Sequence, residues 1–108
     1  MWGGHDFGCN EKLVKSLRGS YYTGKDVEKA MLSVDRADFC KYNPYEDAPQ
    51  SIGYGVTISA PHMHATALDL LKDYLKEGMT ALDIGSGKKQ MNEFFYFFRY
   101  RILNCLYG

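Results

Sequence analysis

The residues whose types and spacing could do chemistry lie in two short stretches. One is Asp83-Ile84-Gly85-Ser86-Gly87, closing the mostly apolar run Thr80-Ala81-Leu82-Asp83-Ile84. A strand that stops in a glycine-rich turn is where an α/β sheet holds a nucleotide-like ligand, because glycine can take positive φ and let the backbone approach closely. The turn is not a phosphate loop: Leu82 stands where that motif has its first glycine, and Lys89 where Ser or Thr should follow. Nor is it a full dinucleotide fingerprint, since Gln90 replaces the third glycine. Alone, it reads either as a ligand turn or as a plain strand-to-loop bend. The second stretch holds Ser59, just ahead of Pro61, followed by His62 and His64. Ser59 could be a reactive hydroxyl or simply the N-cap of the helix that Pro61 opens. His62 and His64 point to different sides of a helix, which argues against a metal pair.

Several elements must position these groups. Asn10 is placed to cap a short helix with Leu13, Val14 and Leu17 at helical spacing and Gly19 at its end. Thr23-Gly24-Lys25-Asp26 has the outline of a capping box, opening a helix with Val27, Ala30, Met31 and Val34 on one face. Asn43-Pro44-Tyr45 and Ala48-Pro49 read as turns. Ser51 to Ser59 mixes Gly53 and Gly55 with β-formers, a short extended segment or hairpin. From Pro61, an apolar stripe of Ala65, Leu68, Leu71 and Leu75 predicts a helix with those leucines in the core, ended by Gly78. Helix, loop, buried strand and glycine turn in that order make the first half of an α/β unit.

With Lys+Arg and Asp+Glu both at 13, no global field points to nucleic acid or an anionic membrane. Cys9, Cys40 and Cys105 are odd in number, far apart and without a C-x-x-C, which suggests free thiols in a reducing compartment and no zinc site or disulfide framework. The opening residues lack a basic stretch followed by an apolar run. A cytoplasmic location is the expectation.

Two strings then speak together. Ser51-Ile52-Gly53-Tyr54-Gly55-Val56-Thr57-Ile58-Ser59-Ala60-Pro61-His62-Met63-His64-Ala65, preceded by Asp35-Arg36 and Asn43-Pro44-Tyr45-x-Asp47-x-Pro49-Gln50, closely resembles the signature region of the protein-L-isoaspartate (D-aspartate) O-methyltransferases. Asp83 to Gly87 falls at that family's first cofactor motif, so the resemblance covers about residues 10–87. It implies a Rossmann-like α/β domain dependent on S-adenosyl-L-methionine. The implied enzyme is a protein-repair methyltransferase, of a monomeric family, that methylates isoaspartyl residues in damaged proteins or peptides. By resemblance Ser59 is the catalytic-site hydroxyl, Val56, Thr57, Ile58 and His64 line the cofactor or substrate cleft, and Asp83, Gly85 and Gly87 shape the cofactor turn.

After Gly87 the resemblance is lost. Lys88-Lys89 suits a helix start poorly, where the dipole favours negative groups. The acid that grips a ribose usually lies about 20 residues past the glycine turn, yet Glu93 is the only acid after Gly87. The expected organisation is therefore a disordered segment 1–9, the methyltransferase part 10–87, and a divergent aromatic and basic tail 88–108. That makes a truncated, helix-dominated α/β domain in which catalysis is impaired. Within the tail, Phe95, Phe98, Ile102 and Cys105 form a loose helical stripe, which opens membrane attachment as a weak alternative. The other alternative is a non-catalytic fragment that binds isoaspartyl peptides or the full-length enzyme, for instance through the edge of Leu82–Ile84.

Overall fold

The computed structural model describes residues 6–53, 55–74, 76–84 and 101–105, with residues 81–84 and 101–105 described by backbone alone. Three helices form one layer: α1 (Asn10–Ser16), α2 (Lys25–Ser33) and α3 (Pro61–Leu71). A hairpin of β1 (Gln50–Gly53) and β2 (Val56–Ile58) leads into α3, and β3 (Thr80–Ile84) pairs in parallel with β4 (Arg101–Cys105).

The helical spacing of apolar residues produces the core directly. Val14, Leu17, Tyr22, Val27, Met31, Val34, Ala65 and Leu68 form one buried cluster, with Phe39 packed against it. Each faces its neighbours because positions three and four apart share a helix side. The cluster stops at Leu68. Leu71 is 39% exposed and Tyr74 67%, so the stripe expected to continue through Leu71 does not enter the core. The helix ends at Leu71 and tightens into a 3-10 turn over Lys72–Tyr74, none of whose residues is buried. Leu75 lies outside the described residues.

Helix starts differ from the expectation in two places. α1 is capped at Cys9 and not at Asn10. Asn10 occupies the first helical position, and its side-chain amide donates to the carbonyls of Met31 (3.1 Å) and Val34 (3.3 Å). Those carbonyls lie at the C-terminal end of α2, where helical acceptors have no partner of their own. α2 in turn is capped by Gly24 with no side-chain bond. With the helix opening at Lys25, Asp26 takes its second position instead of the third, and the reciprocal bonding of a capping box with Thr23 is lost.

Residues 6–9, expected to be disordered, are held: Asp6 bridges Glu46, and the Phe7 amide donates to the Tyr45 carbonyl at 3.2 Å. Backbone pairing outweighs the glycine-rich composition there. Arg101–Cys105, expected on a helical stripe, is a strand in register with Thr80–Ile84. The open edge of β3 offers a ladder of donors and acceptors that a short isolated helix cannot match. The aromatic residues 94–100 lie outside the described residues.

The β1–β2 turn depends on two glycines. Gly53 and Gly55 have φ of +95° and +69°, a region that L side chains seldom adopt. The register shifts between Ser51 and Gly53, so the hairpin carries a bulge beside its turn.

Leu68→Ala is expected to cost about 2–5 kcal/mol, read as a lower urea midpoint at unchanged slope. Leu70→Ala, at a position 72% exposed, should stay within about 0.5 kcal/mol. Equal losses at the two sites would contradict this seating of α3.

Candidate functional site

Between β2 and α3 the chain must turn from extended to helical backbone within Ser59 and Ala60. Proline dictates how. Ala60 precedes Pro61 and is held extended at φ −60°, ψ 147°, and Pro61, at the first helical position, removes one N–H that would otherwise lack a partner. The next N–H, of His62, donates to Asp47 Oδ1 at 3.0 Å. The same oxygen lies 2.8 Å from His62 Nδ1. A carboxylate from a distant loop thus caps α3 and complements its dipole.

This arrangement decides one of the two readings of Ser59. The N-cap of α3 is Ala60, and no side chain caps from that position. Ser59 lies one residue earlier and half-buried, so its hydroxyl is not used as the helix cap.

Arg36 closes the junction from below. It is 1% exposed, the one charged residue among the described buried ones. Its Nη1 donates to the Ser59 carbonyl at 2.9 Å and its Nη2 to the Ala48 carbonyl at 3.1 Å. Burial pushes its pKa down, while the nearby Cys40 and Asp47 oppose that shift. A guanidinium remains charged regardless.

The other expected site residues divide. Val56 and Thr57 are exposed on β2, whereas Ile58 is 2% exposed and belongs to the core. Its side chain therefore packs inward and does not line an open surface. His64 stands half-buried in the first turns of α3. Its pKa is pushed down to about 4, first by loss of solvent and then by the Arg36 charge. At neutral pH it is an uncharged imidazole. Asp83 lies one residue before the carboxyl end of β3, opposite Asn104 of β4. Gly85 and Gly87 lie outside the described residues. Among the described residues no group of three or more His, Cys, Asp or Glu could hold a metal ion, and no helix is long and apolar enough to cross a membrane.

Reading the sequence missed Arg36 and Asp47 as organising groups. Both occur in the strings that carry the resemblance, but nothing in their spacing announces which backbone atoms they reach.

The model of the protein-L-isoaspartate(D-aspartate) O-methyltransferase family matches residues 8–95. The chain belongs to this family. The match runs past Gly87 to Phe95, further than the resemblance read from the residues alone. A protein-L-isoaspartate O-methyltransferase of Caenorhabditis elegans is 53% identical over 79 residues, which cover 72% of this chain and 35% of that protein. Its counterpart in Triticum aestivum is 50% identical over 91 residues, covering 81% of this chain and 39% of the relative. A solved Plasmodium falciparum structure, described as an isoaspartate methyltransferase in complex with S-adenosyl-L-homocysteine, superposes with a TM-score of 0.82 at 36% identity. It covers 89% of this chain and 48% of the other. The chain thus spans less than half the length of these isoaspartate methyltransferase relatives, and its fold is part of their Rossmann-like α/β domain.

Two predictions concern this site. Asp47→Ala removes the α3 cap and is expected to cost about 1–2 kcal/mol, while Asp47→Asn, which keeps an acceptor oxygen, should recover most of that in thermal unfolding. The His64 pKa is lower folded than unfolded, so the unfolded chain takes up the proton first. Stability from this group is full above about pH 6.5, the ordinary histidine value, and is lost as pH falls towards about 4. The loss amounts to roughly 3 kcal/mol at most. His64→Gln should flatten that part of the pH–stability curve in urea titrations, and an unchanged curve would place His64 in solvent.

Proposed function

We propose that this chain serves the repair of damaged proteins, in methyl transfer from S-adenosyl-L-methionine to the α-carboxylate of L-isoaspartyl and D-aspartyl residues. The observation that carries this reading is the junction at Ser59, a half-buried serine whose hydroxyl is left out of the helix cap and whose backbone is pinned from below.

The chemistry asks little of acids and bases. A carboxylate with a pKa near 4 is ionised at neutral pH and is its own nucleophile. What the protein must supply is alignment, with the acceptor oxygen, methyl carbon and sulfur in line. Ser59 would donate a hydrogen bond from its hydroxyl to the acceptor carboxylate, which stays ionised, and hold it in place. His64, uncharged at neutral pH, would border the cleft without forming an ion pair that quenches the nucleophile. Val56 and Thr57, exposed on β2, would meet the peptide.

The residues present fit the cofactor in backbone terms. β3 and β4 are parallel and end together at Ile84 and Cys105. Ligands of open α/β sheets bind at the carboxyl ends of such strands. Asp83, Gly85 and Gly87 would hold the cofactor there. When bound, it supplies a methyl group made electrophilic by a positively charged sulfur.

A second reading rests on the hairpin and its Ser59 junction, which Arg36 and Asp47 of this same chain hold in place: the chain would bind isoaspartyl peptide without transferring a methyl group. One experiment separates the two. The chain is given methyl-labelled S-adenosylmethionine and an isoaspartyl peptide or its aspartyl counterpart, and peptide affinity is measured in parallel. Label on the isoaspartyl peptide alone supports catalysis, and Ser59→Ala should then lower incorporation on the order of ten- to a hundredfold. Discrimination between the peptides without label supports the binding reading. Equal behaviour towards both peptides sinks both.

A further inference from the structure

Arg36 is costly to bury, and its contacts suggest why it is there. A guanidinium presents five donors in a rigid plane and has no neutral form to retreat to. Two of its nitrogens are spent on carbonyls that flank the β1–β2 hairpin. Ala48 lies just before β1 and Ser59 just after β2, and the two bonds measure 3.1 and 2.9 Å. The fork therefore bridges the two ends of the segment and closes its base. Its Nε is buried and makes no hydrogen bond among the described residues, so the placement is not explained by satisfying every donor.

The backbone of Arg36 is itself fixed to the helical layer. Its N–H donates to Asn10 Oδ1 at 3.4 Å, and its carbonyl accepts from the amides of Phe39 and Cys40 at 3.0 and 3.1 Å. Asn10 in turn holds the end of α2. A rigid path thus leads from the helix packing through Arg36 to the carbonyl of Ser59.

We propose that Arg36 is the positioning residue for Ser59, its planar fork clamping both ends of the β1–β2 hairpin so that the Ser59 hydroxyl is presented at a fixed point. The proposal rests on the reading of Ser59 as the group that meets the acceptor carboxylate. Lysine cannot replace the fork, because a single ammonium on a flexible stem does not span two fixed carbonyls in one plane.

The test uses the 108-residue chain with Arg36→Lys, Ser59→Ala and the double variant. Amide hydrogen exchange reads the clamp, and titration with an isoaspartyl peptide reads its consequence. In Arg36→Lys, amides of residues 51–58 should exchange at least about tenfold faster, while those of α1 and α2 stay within about twofold. Affinity should fall about tenfold. The double variant should bind no more weakly than Ser59→Ala, because both changes act through the same hydroxyl. Losses that add, or an unchanged hairpin, overturn the proposal. Should the chain show no preference for isoaspartyl peptide, the functional reading fails, while the exchange arm still judges the clamp. Arg36→Gln, which removes the buried charge but offers one amide for two carbonyls, serves if the lysine variant does not fold. Unfolding of α1 and α2 in both variants also overturns the proposal, since Arg36 would then have no separable effect on Ser59.

Discussion

A buried positive charge, with no carboxylate in direct contact among the described residues, joins the helical layer to the hairpin. Arg36 is 1% exposed and faces the carbonyl oxygens of Ala48 and Ser59. A cation removed from water needs dipoles or charges around it to be tolerated. Here backbone carbonyls supply the dipoles and Asp47 contributes a charge at longer range. Meeting that requirement draws the two ends of the hairpin together. The helical layer makes this possible by holding the Arg36 backbone, and the hairpin and the start of α3 inherit their relative positions from it.

A second polar contact completes the junction. Asp47 reaches the first turn of α3 at the His62 amide, one residue along from the Ala48 carbonyl that Arg36 grips. Neighbouring positions of one loop are therefore tied to both sides of the turn between β2 and α3, Asp47 directly and Ala48 through Arg36. Ser59 lies inside this frame, and His64 beside it stays neutral because burial and the arginine both disfavour its proton. The result is a short segment whose backbone is heavily tied around a half-buried serine whose hydroxyl does not cap the helix, a combination suited to positioning chemistry.

Much of the helical layer was legible in the residues. Leu13, Val14, Leu17, Val27, Ala30, Met31 and Val34 recur at helical spacing, and all are buried. Periodicity works there because burial of one face stabilises the helix that presents it. It fails at Leu71, where spacing continues but the packed cluster has ended at Leu68. It fails again at Ile102 and Cys105, whose spacing suits a helix but whose backbone completes a parallel pair with β3. Caps were harder still: Cys9, Gly24 and Ala60 hold the cap positions, and the polar residues nearby, Asn10, Thr23 and Ser59, do not.

The sequence by itself determined the family, through the long string from Ser51 to Ala65 and the turn after β3, and it determined which helix faces are apolar. Only the tertiary structure decided that Ser59 is spared from capping, that Asp47 does the capping, and that Arg36 ties Ser59 to Ala48. The reason lies in the partners. Arg36 reaches carbonyls 23 and 12 residues away, and Asp47 an amide 15 residues away. Those acceptors and donors are backbone atoms that nearly every residue possesses, so no residue type along the chain marks where such a bond will end.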